Sequence, residues 1–348
     1  MNPRIERFEA FGLPLALRAP FRTHWKDIRT HESVRVRIVC DGIEGNGEAY
    51  TLETAGALSG LREADLQGAD PFAGETITRR IADPAARSAV DLALHDWIGR
   101  RFGLPVHRWL GLPRARATSC LSIGIDEPER MIADARRRIA GGAEILKVKL
   151  TTDTDLAVLA EIRRIGGNGL RIWVDANQAF DPEQAVAVAA RLADLGVELF
   201  EQPLPVGTEE AYARIRPRIR LPIVLDESIR SAADAAAAAR AGGIDGINVK
   251  LAKVGGIREA LRAIAVARAH GLRIFLGCYF ESSLGIAAAA QLLSLADWVD
   301  LDAPLFLAED PYEGLAFEGT ALAAPDRPGL GVRERGDRAR RISRCRGS

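Results

Sequence analysis

The sequence predicts an α/β protein in which a closed parallel barrel follows a smaller α+β unit. From about residue 117, eight short apolar segments alternate with alanine-rich segments of helical composition. Before that point the pattern is mixed, with alternating apolar and polar residues first and a strong helical stretch afterwards. The 348 residues, of which 47% are apolar, supply enough material for a large core.

The α+β unit is expected over residues 1–116. The segments RIERFEAFGLPLAL and SVRVRIVCDGIEGNGEAY alternate apolar with polar residues, and Asp41-Gly42 is typical of a turn between antiparallel strands. The stretch DPAARSAVDLALHDWIGRRFG places apolar residues on one helical face, and Gly103 with Pro105 ends the helix. Strands followed by a helix indicate a small mixed domain.

The barrel is expected over residues 117–310. Segments such as PERMIADARRRIA and DPEQAVAVAARLADLG separate the strands, and such crossovers give right-handed parallel connections that close into a barrel of the TIM type. An open doubly wound sheet is the alternative, but no glycine-rich phosphate loop follows any strand. The eight predicted strands are CLSIGI, ILKVKL, LRIWVDAN, VELFEQP, PIVLDES, GINVKL, RIFLGC and DWVDLD.

Charge and cysteine content exclude several classes of protein. Lysine plus arginine and aspartate plus glutamate both number 47, so no net charge attracts nucleic acid or an anionic membrane. The four cysteines stand far apart without metal-type spacing, which indicates free thiols in a reducing compartment. Without a signal-peptide pattern or an apolar run of about 20 residues, the protein is expected to be cytoplasmic.

The arginine-rich residues 333–348 are expected to be a solvated or disordered tail, with a binding arm as the alternative.

Polar residues end almost every predicted barrel strand. In a parallel barrel these ends meet at one mouth, where the fold carries its active sites. An aspartate after a strand can also cap the next helix, and the two alternate lysines of ILKVKL also suit a solvated edge strand. The strand-end residues are Lys147, Lys149, Asp175, Asn177, Glu201, Asp226, Lys250, Asp300 and Asp302.

Three carboxylates of this set come from three successive strands. Asp175, Glu201 and Asp226 would repel one another in a shared mouth unless a cation lay among them. Hard oxygen ligands without histidine or cysteine favour Mg²⁺, with Mn²⁺ as the alternative, and leave coordination sites for water and substrate oxygens. The sequence therefore predicts a metal centre.

Two lysines flank this predicted metal centre. Lys149 on strand two and Lys250 on strand six lie nearly across the barrel from each other, so that a chelated substrate would have one lysine on each face. Lys147 points the same way as Lys149 and adds a positive charge that lowers the pKa of its neighbour, which favours a neutral base. The arrangement predicts removal of a proton alpha to a carboxylate, followed by return of a proton or elimination at the second lysine.

The motifs KVK, VDAN, FEQP, LDES and NVK resemble, in this order, the pattern of the muconate lactonising enzyme subgroup of the enolase superfamily. EGNGEA and AVDLALHDWIGRRFGLPVHRWLG resemble the capping domain of that family. The resemblance implies a modified TIM barrel of the (β/α)7β type, with an α+β capping domain that residues 311–332 complete. It also implies that Lys149 and Lys250 are the catalytic pair and that Asn177 supports the metal shell. Lys253 is set aside because Lys250 ends the strand INVK.

The segment WVDLDAP resembles the dipeptide epimerases, in which two carboxylates hold the ammonium group of a dipeptide. Asp300 and Asp302 would take this role, since paired anions suit a protonated amine, although both could instead be helix caps. The resemblance implies epimerisation at the C-terminal residue of an L-Ala-L-Xaa dipeptide. Lys26 stands where the alanyl-glutamate epimerases carry an arginine for the substrate side chain, so Ala-Glu is the first expectation. Cys278 after strand seven is expected to shape the same pocket.

The competing functions fall into two classes. A cycloisomerase, an o-succinylbenzoate synthase or an N-acylamino acid racemase could use the same scaffold, but none of these needs an ammonium site. A non-catalytic binding protein is the alternative of another class. Self-association into a homo-oligomer is implied by the resemblance alone.

Overall fold

The computed structural model describes residues 3–23, 27–154 and 156–336. In these ranges the N-terminal part contains an antiparallel sheet of three strands in the order β1-β2-β3. Asp41 and Gly42 form the predicted turn between β2 and β3, and both have positive φ, 50° and 69°. The strands are β1 (Arg7–Arg22), β2 (Asp27–Cys40) and β3 (Ile43–Ala49).

Helices complete the N-terminal part, and the longest of them is the one predicted from the sequence. Asp83 caps this helix, since its side chain accepts a hydrogen bond of 2.8 Å from the Ala86 nitrogen, and Gly103 ends it with φ of 68°. On the barrel side, Asp91 Oδ1 lies 3.0 Å from Arg258 Nε. The helices are α1 (Thr54–Ser59), α2 (Glu63–Leu66), α3 (Gly74–Thr78), α4 (Pro84–Phe102) and α5 (Val106–Trp109).

After β4 (Arg116–Thr118), the described chain forms a nearly closed barrel of eight parallel strands in the order β12-β11-β10-β9-β8-β7-β6-β5. A hydrogen bond of 3.0 Å from the Cys120 nitrogen to the Val299 oxygen joins the two ends of this sheet. The predicted fold class and all eight predicted strands are confirmed. The strands are β5 (Leu121–Ile123), β6 (Ile145–Lys149), β7 (Arg171–Asp175), β8 (Val197–Glu201), β9 (Ile223–Leu225), β10 (Gly246–Val249), β11 (Arg273–Gly277) and β12 (Trp298–Asp300).

Helices connect successive barrel strands on the outside of the sheet. No helix in the described ranges combines the length and apolar character needed to cross a membrane. Short 3₁₀ turns occur at Arg216–Arg218 and Leu293–Leu295. The helices are α6 (Pro128–Ala140), α7 (Ala157–Gly166), α8 (Pro182–Asp194), α9 (Glu210–Ile215), α10 (Ala232–Ala241), α11 (Leu251–Val254), α12 (Ile257–Ala269), α13 (Ser283–Ala290) and α14 (Ala303–Phe306).

Alternation along each strand divides its side chains between the barrel interior and the surrounding helices. In β6, Ile145 belongs to an inner apolar cluster, whereas Leu146 and Val148 belong to the core between strands and helices. Lys147 and Lys149 have the parity of Ile145 and are 1% and 9% exposed, so β6 is not a solvated edge strand. The inner cluster consists of Cys120, Ile145, Trp173, Leu199, Val224, Phe275 and Trp298.

The C-terminal segment returns to the N-terminal sheet. Arg37 of β2 donates a hydrogen bond of 3.1 Å to Glu334, which lies in a short strand. Residues 333 and 334 of the expected tail are thus paired, and residues 337–348 lie outside the described ranges. The domain boundaries expected from the sequence stay a prediction. The strands are β13 (Tyr312–Glu313), β14 (Phe317–Glu318), β15 (Ala321–Ala323) and β16 (Arg333–Glu334), where β13 pairs with β16 and β15 with β14 and β4.

Candidate active site

A cavity of 410 Å³ lies at the C-terminal ends of the barrel strands. The N-terminal sheet and the residues that follow it contribute Phe21, Ile28, Tyr50 and Leu52 to its walls. Of the residues predicted from the sequence, Asp175 and Glu201 are fully buried beside the cavity, and Lys26 lies outside the described residues. The predicted residues that line the cavity are Lys147, Lys149, Asn177, Asp226, Lys250, Cys278, Asp300 and Asp302.

The three predicted metal ligands come together beside this cavity. One carboxylate oxygen each from Asp175, Glu201 and Asp226 can be chosen so that all three lie within 4.8 Å of one another, and the three side chains are buried. Burial, together with the negative charge of Asp175, raises the pKa of Glu201 to about 8. A divalent cation at the cluster would favour the charged form of this carboxyl group.

Unpaired buried oxygens indicate that a cation fits this cluster. Asn177 Nδ2 donates a hydrogen bond of 3.0 Å to Glu227 Oε1, but Asn177 Oδ1 and Glu227 Oε2 are buried without a hydrogen-bond partner in the described structure. Glu201 Oε2 also accepts no hydrogen bond of good geometry, although the Lys147 ammonium lies 2.7 Å away. A donor set made of oxygens alone suits Mg²⁺ or Mn²⁺.

Lys147 contacts three carboxylates at the edge of the cavity. Its Nζ lies 2.8 Å from Asp300 Oδ2, 2.7 Å from Glu201 Oε2 and 3.2 Å from Asp175 Oδ2. Burial lowers the pKa of Lys147, but the charges of these carboxylates outweigh burial and raise it well above its ordinary value. Lys147 is therefore a fixed cation that links the metal-ligand cluster to β12.

Lys149 and Lys250 approach the carboxylate cluster from opposite sides. Lys149 ends β6 and Lys250 follows β10, so four strand steps separate them in an eight-stranded barrel. Lys149 Nζ donates to Asp175 Oδ2 at 2.6 Å, and Lys250 Nζ donates to Asp226 Oδ2 at 2.7 Å. Burial lowers the pKa of Lys250, but the charge of Asp226 outweighs burial and raises it well above its ordinary value.

Asp300 and Asp302 both reach the cavity from the end of β12, but their partners differ. Asp300 binds Lys147, and its Oδ1 accepts a hydrogen bond of 3.2 Å from Cys120 Sγ. Asp302 Oδ2 accepts a hydrogen bond of 2.8 Å from the Ser122 nitrogen, and Asp302 forms no ion pair with the described residues. Burial and the charge of Asp300 raise the pKa of Asp302 to about 7. Asp302 is therefore the freer of the two carboxylates to bind a cationic group.

Sequence reasoning did not assign several residues that reach the site. Lys253, which was set aside there, donates to the carboxylate and to the main-chain oxygen of Asp226. Asn248 Nδ2 donates to Glu201 Oε1 at 2.7 Å, and its position two residues before Lys250 was an available signal for an inward side chain. Further unassigned residues of the cavity wall are Tyr50, Leu52, Glu227 and Arg230.

The arrangement supports proton transfer next to a carboxylate. A carboxylate held at the acidic cluster would have Lys149 on one side and Lys250 on the other. A cationic group of the same molecule could reach Asp302. The site thus combines two proton-transfer groups with separate places for an anion and a cation.

Two family models match the chain, and characterised proteins resemble it over most of its length. The mandelate racemase / muconate lactonizing enzyme N-terminal domain matches residues 11–111, and the enolase C-terminal domain-like model matches residues 130–338. The chain is 35% identical to the L-Ala-D/L-Glu epimerase of Bacteroides thetaiotaomicron over 335 residues, which cover 92% of this chain and 86% of that protein. It is 38% identical to a hydrophobic dipeptide epimerase of Roseobacter litoralis over 253 residues, which cover 71% of this chain and 73% of that protein.

A solved structure gives the same result for the fold. The dipeptide epimerase of Enterococcus faecalis V583, complexed with Mg and the dipeptide L-Leu-L-Tyr, superposes with a TM-score of 0.90 at 30% identity. The match covers 94% of this chain and 99% of that one. On its domain matches, barrel and sequence identity, this chain belongs to the mandelate racemase / muconate lactonizing enzyme family of the enolase superfamily.

Proposed function

We propose that this protein is an Mg²⁺-dependent dipeptide epimerase, for which Mn²⁺ is an alternative cation. It would move a proton at the alpha carbon of the C-terminal residue of L-Ala-L-Xaa dipeptides, with L-Ala-L-Glu as the leading substrate. The observation that carries the proposal is the placement of Lys149 and Lys250 on opposite sides of the acidic cluster. Inversion of a carbon centre by proton transfer needs a donor on one face and an acceptor on the other.

The acidic cluster is the proposed cation site. Asp175, Glu201 and Asp226 would hold the cation, and Asn177, through its hydrogen bond to Glu227, would support the shell around it. A divalent cation bound there would neutralise the negative charge that develops on the substrate carboxylate as the alpha proton leaves.

The lysine pair would carry the proton. For one configuration of the substrate, Lys149 accepts the alpha proton and Lys250 donates a proton to the opposite face. For the other configuration the roles are reversed. Hydrogen bonds to Asp175 and Asp226 fix the two Nζ atoms, and the low exposure of both lysines keeps bulk water away from the reacting carbon.

The end of β12 is the proposed ammonium site. Asp302 would accept the charge-assisted hydrogen bonds of the substrate amine, with Asp300 adding negative charge from beside it. Lys147 would hold Asp300 in place, since their side chains are 2.8 Å apart. Cys278 lines the same cavity and is proposed to contact the bound dipeptide. Lys26 stays a predicted contact for an acidic side chain.

The relatives support a dipeptide as the substrate. One relative is named an L-Ala-D/L-Glu epimerase and another a hydrophobic dipeptide epimerase. The solved structure of a third protein, a dipeptide epimerase, contains Mg and L-Leu-L-Tyr. Because these proteins differ in side-chain preference, their names leave the C-terminal residue of the substrate open for this chain.

A screen for proton exchange tests the proposal. The protein, with Mg²⁺ in deuterated water, is incubated with L-Ala-L-Xaa dipeptides, and NMR measures deuterium at each alpha carbon. We expect exchange and inversion only at the C-terminal residue, and loss of both after chelation of the cation. No exchange in any dipeptide, together with turnover of an N-acylamino acid, would reject the proposal.

A further inference from the structure

Arg230 differs from the other cations of the cavity wall because it has no anionic partner within the described ranges. Lys147, Lys149 and Lys250 each bind at least one carboxylate. The side chain of Arg230 lines the cavity and is exposed, and only its main-chain nitrogen is engaged, by Asp234 at 2.9 Å. The cavity therefore presents one guanidinium whose hydrogen-bonding capacity is unused.

The carboxylates nearest to Arg230 in the chain, including Asp234, form no ion pair with its side chain in the described ranges. Asp226 binds Lys250 and Lys253, and Glu227 accepts a hydrogen bond from Asn177. The carboxylates of β12 lie three strands away from β9, at whose end the Arg230 loop begins. Within the described part of the chain no carboxylate forms an ion pair with the Arg230 guanidinium, so its positive charge is available to a bound anion.

If the proposed function holds, the position of Arg230 indicates which part of a bound dipeptide its side chain would contact. The C-terminal carboxylate would lie at the Asp175 cluster and the amine at Asp302. The alpha hydrogen would face one of the two lysines. The remaining substituent is the side chain of the C-terminal residue, which has to extend toward the exposed mouth. Arg230 and the 73% exposed Leu52 border the cavity there.

We propose that Arg230 binds a carboxylate on the side chain of the C-terminal residue, so that dipeptides ending in glutamate or aspartate are the preferred substrates. A guanidinium can form two parallel hydrogen bonds with a carboxylate, which the ammonium of Lys26 cannot.

An aromatic cluster lies on the other side of the cavity, where Phe306 is the last residue of the helix that begins after Asp302. Phe306 contacts Phe21 and Phe280 edge to face, which suits an apolar N-terminal residue.

Kinetics with two substrates of equal shape test the inference. L-Ala-L-Glu and L-Ala-L-Gln differ in charge but hardly in size, and we expect wild type to favour the first at least about tenfold in kcat/KM. Arg230→Gln should raise the KM of L-Ala-L-Glu by about 10- to 100-fold, with kcat and all L-Ala-L-Gln constants within about threefold. Arg230→Glu should favour L-Ala-L-Lys over L-Ala-L-Glu. The matched control is Arg240→Gln on α10, an exposed arginine outside the cavity, which should change nothing.

Two results would overturn the inference and leave the proposed function intact. One is an equal change, or none, for the acidic and the neutral dipeptide in Arg230→Gln. The other is loss of the preference for glutamate in Lys26→Gln while Arg230→Gln keeps it. Absence of exchange in every dipeptide would instead reject the proposed function and the inference together.

Discussion

Among the described residues, four lysines meet at the barrel mouth, and they differ in the carboxylates that they contact. Lys147 is surrounded by three carboxylates and is a structural cation. Lys250 and Lys253 both bind Asp226, but Lys253 does not line the cavity, whereas Lys250 does. Lys149 also lines the cavity. At the residue scale, Lys149 and Lys250 are therefore the lysines that both line the cavity and contact a single carboxylate each, which supports the proton-transfer role proposed for them.

Alanine variants of these two lysines should separate the two faces of the substrate. Lys149→Ala and Lys250→Ala should each lower epimerisation by about 10²- to 10⁴-fold, because one proton-transfer group is missing. Each variant should still exchange the alpha proton of one C-terminal configuration, namely the one that faces the remaining lysine. NMR in deuterated water with L-Ala-L-Glu and L-Ala-D-Glu measures this.

The two variants should keep proton exchange for opposite configurations of the C-terminal residue. If both variants kept exchange for the same configuration, the lysines would act on a single face. The two-sided mechanism would then be wrong. Circular dichroism of each variant checks that the fold is kept.

At the scale of elements, strand β3 and helix α4 fit together because two glycines remove side chains from their contact. A Cβ at Gly47 would collide with the carbonyl oxygen of Ala89 and lie 2.7 Å from the Ala93 nitrogen. Gly45 likewise faces α4, where its Cβ would lie 2.7 Å from Trp97 Cβ. Close packing of β3 against α4 thus explains the two glycines of the motif EGNGEA.

Gly47→Ala should destabilise the protein by about 1–3 kcal/mol, because the added methyl group has to push α4 away from the sheet. Chemical denaturation, with Mg²⁺ held constant, measures the free energy of unfolding. The control is Gly169→Ala, since an exposed Cβ there meets no atom within 4 Å, and its change should stay within about 0.5 kcal/mol. Equal stability of both variants would contradict the close-packing argument.

The barrel strands show how far an apolar pattern predicts an element. The sequence placed each of the eight strands, but the structure shortens them at their C-terminal ends. In PIVLDES, for example, the strand is Ile223–Leu225, since Pro222 has no amide hydrogen and the backbone turns away at Asp226. The trimmed ends include Asp226, Lys250 and Asp302, whereas Lys149, Asp175, Glu201 and Asp300 stay within their strands.

At the scale of the whole molecule, the N-terminal sheet is tied to the barrel mouth through buried carboxyl groups. Glu48 accepts a hydrogen bond of 2.9 Å from the Ser282 nitrogen, and Glu281 accepts one of 3.4 Å from the Tyr50 nitrogen. Tyr50 also stacks on Tyr279 with ring centroids 4.5 Å apart. Both tyrosines line the cavity, so this junction shapes the site as well as joining the two parts.

The junction predicts a dependence of stability on pH. Burial and the charge of Glu48 raise the pKa of Glu281 to about 8, against an ordinary value of 4.5. Between these values the folded protein keeps a proton that the unfolded chain has lost. This contribution to the free energy of unfolding therefore falls as pH rises, by up to about 1.4 kcal/mol per pH unit.

Glu281→Gln should remove that contribution, because an amide does not titrate. Denaturation between pH 5 and pH 8 should show a shallower loss of stability in the variant than in wild type. Glu210→Gln, at an exposed position of α9, should keep the wild-type slope. Parallel curves for wild type and Glu281→Gln would contradict the shifted pKa.

The sequence by itself determined which side chains enter the barrel. Strand residues alternate between two faces, so Lys149, Asp175, Glu201 and Asp226 were readable from local patterns as one inward-facing group. Such patterns also indicated an oxygen-only cation site, since three buried acids cannot share a mouth without positive charge.

Only the tertiary structure decided how the charges around this group are distributed. The contact of Lys147 with Asp300 joins residues 153 positions apart, and the approach of Tyr50 to Glu281 spans 231. Nor does any local pattern indicate that the Arg230 side chain, in the described part of the chain, forms no ion pair. These relations depend on strand stagger, barrel closure and the seating of the N-terminal sheet, which involve residues far apart in the chain and leave no periodic signal in it.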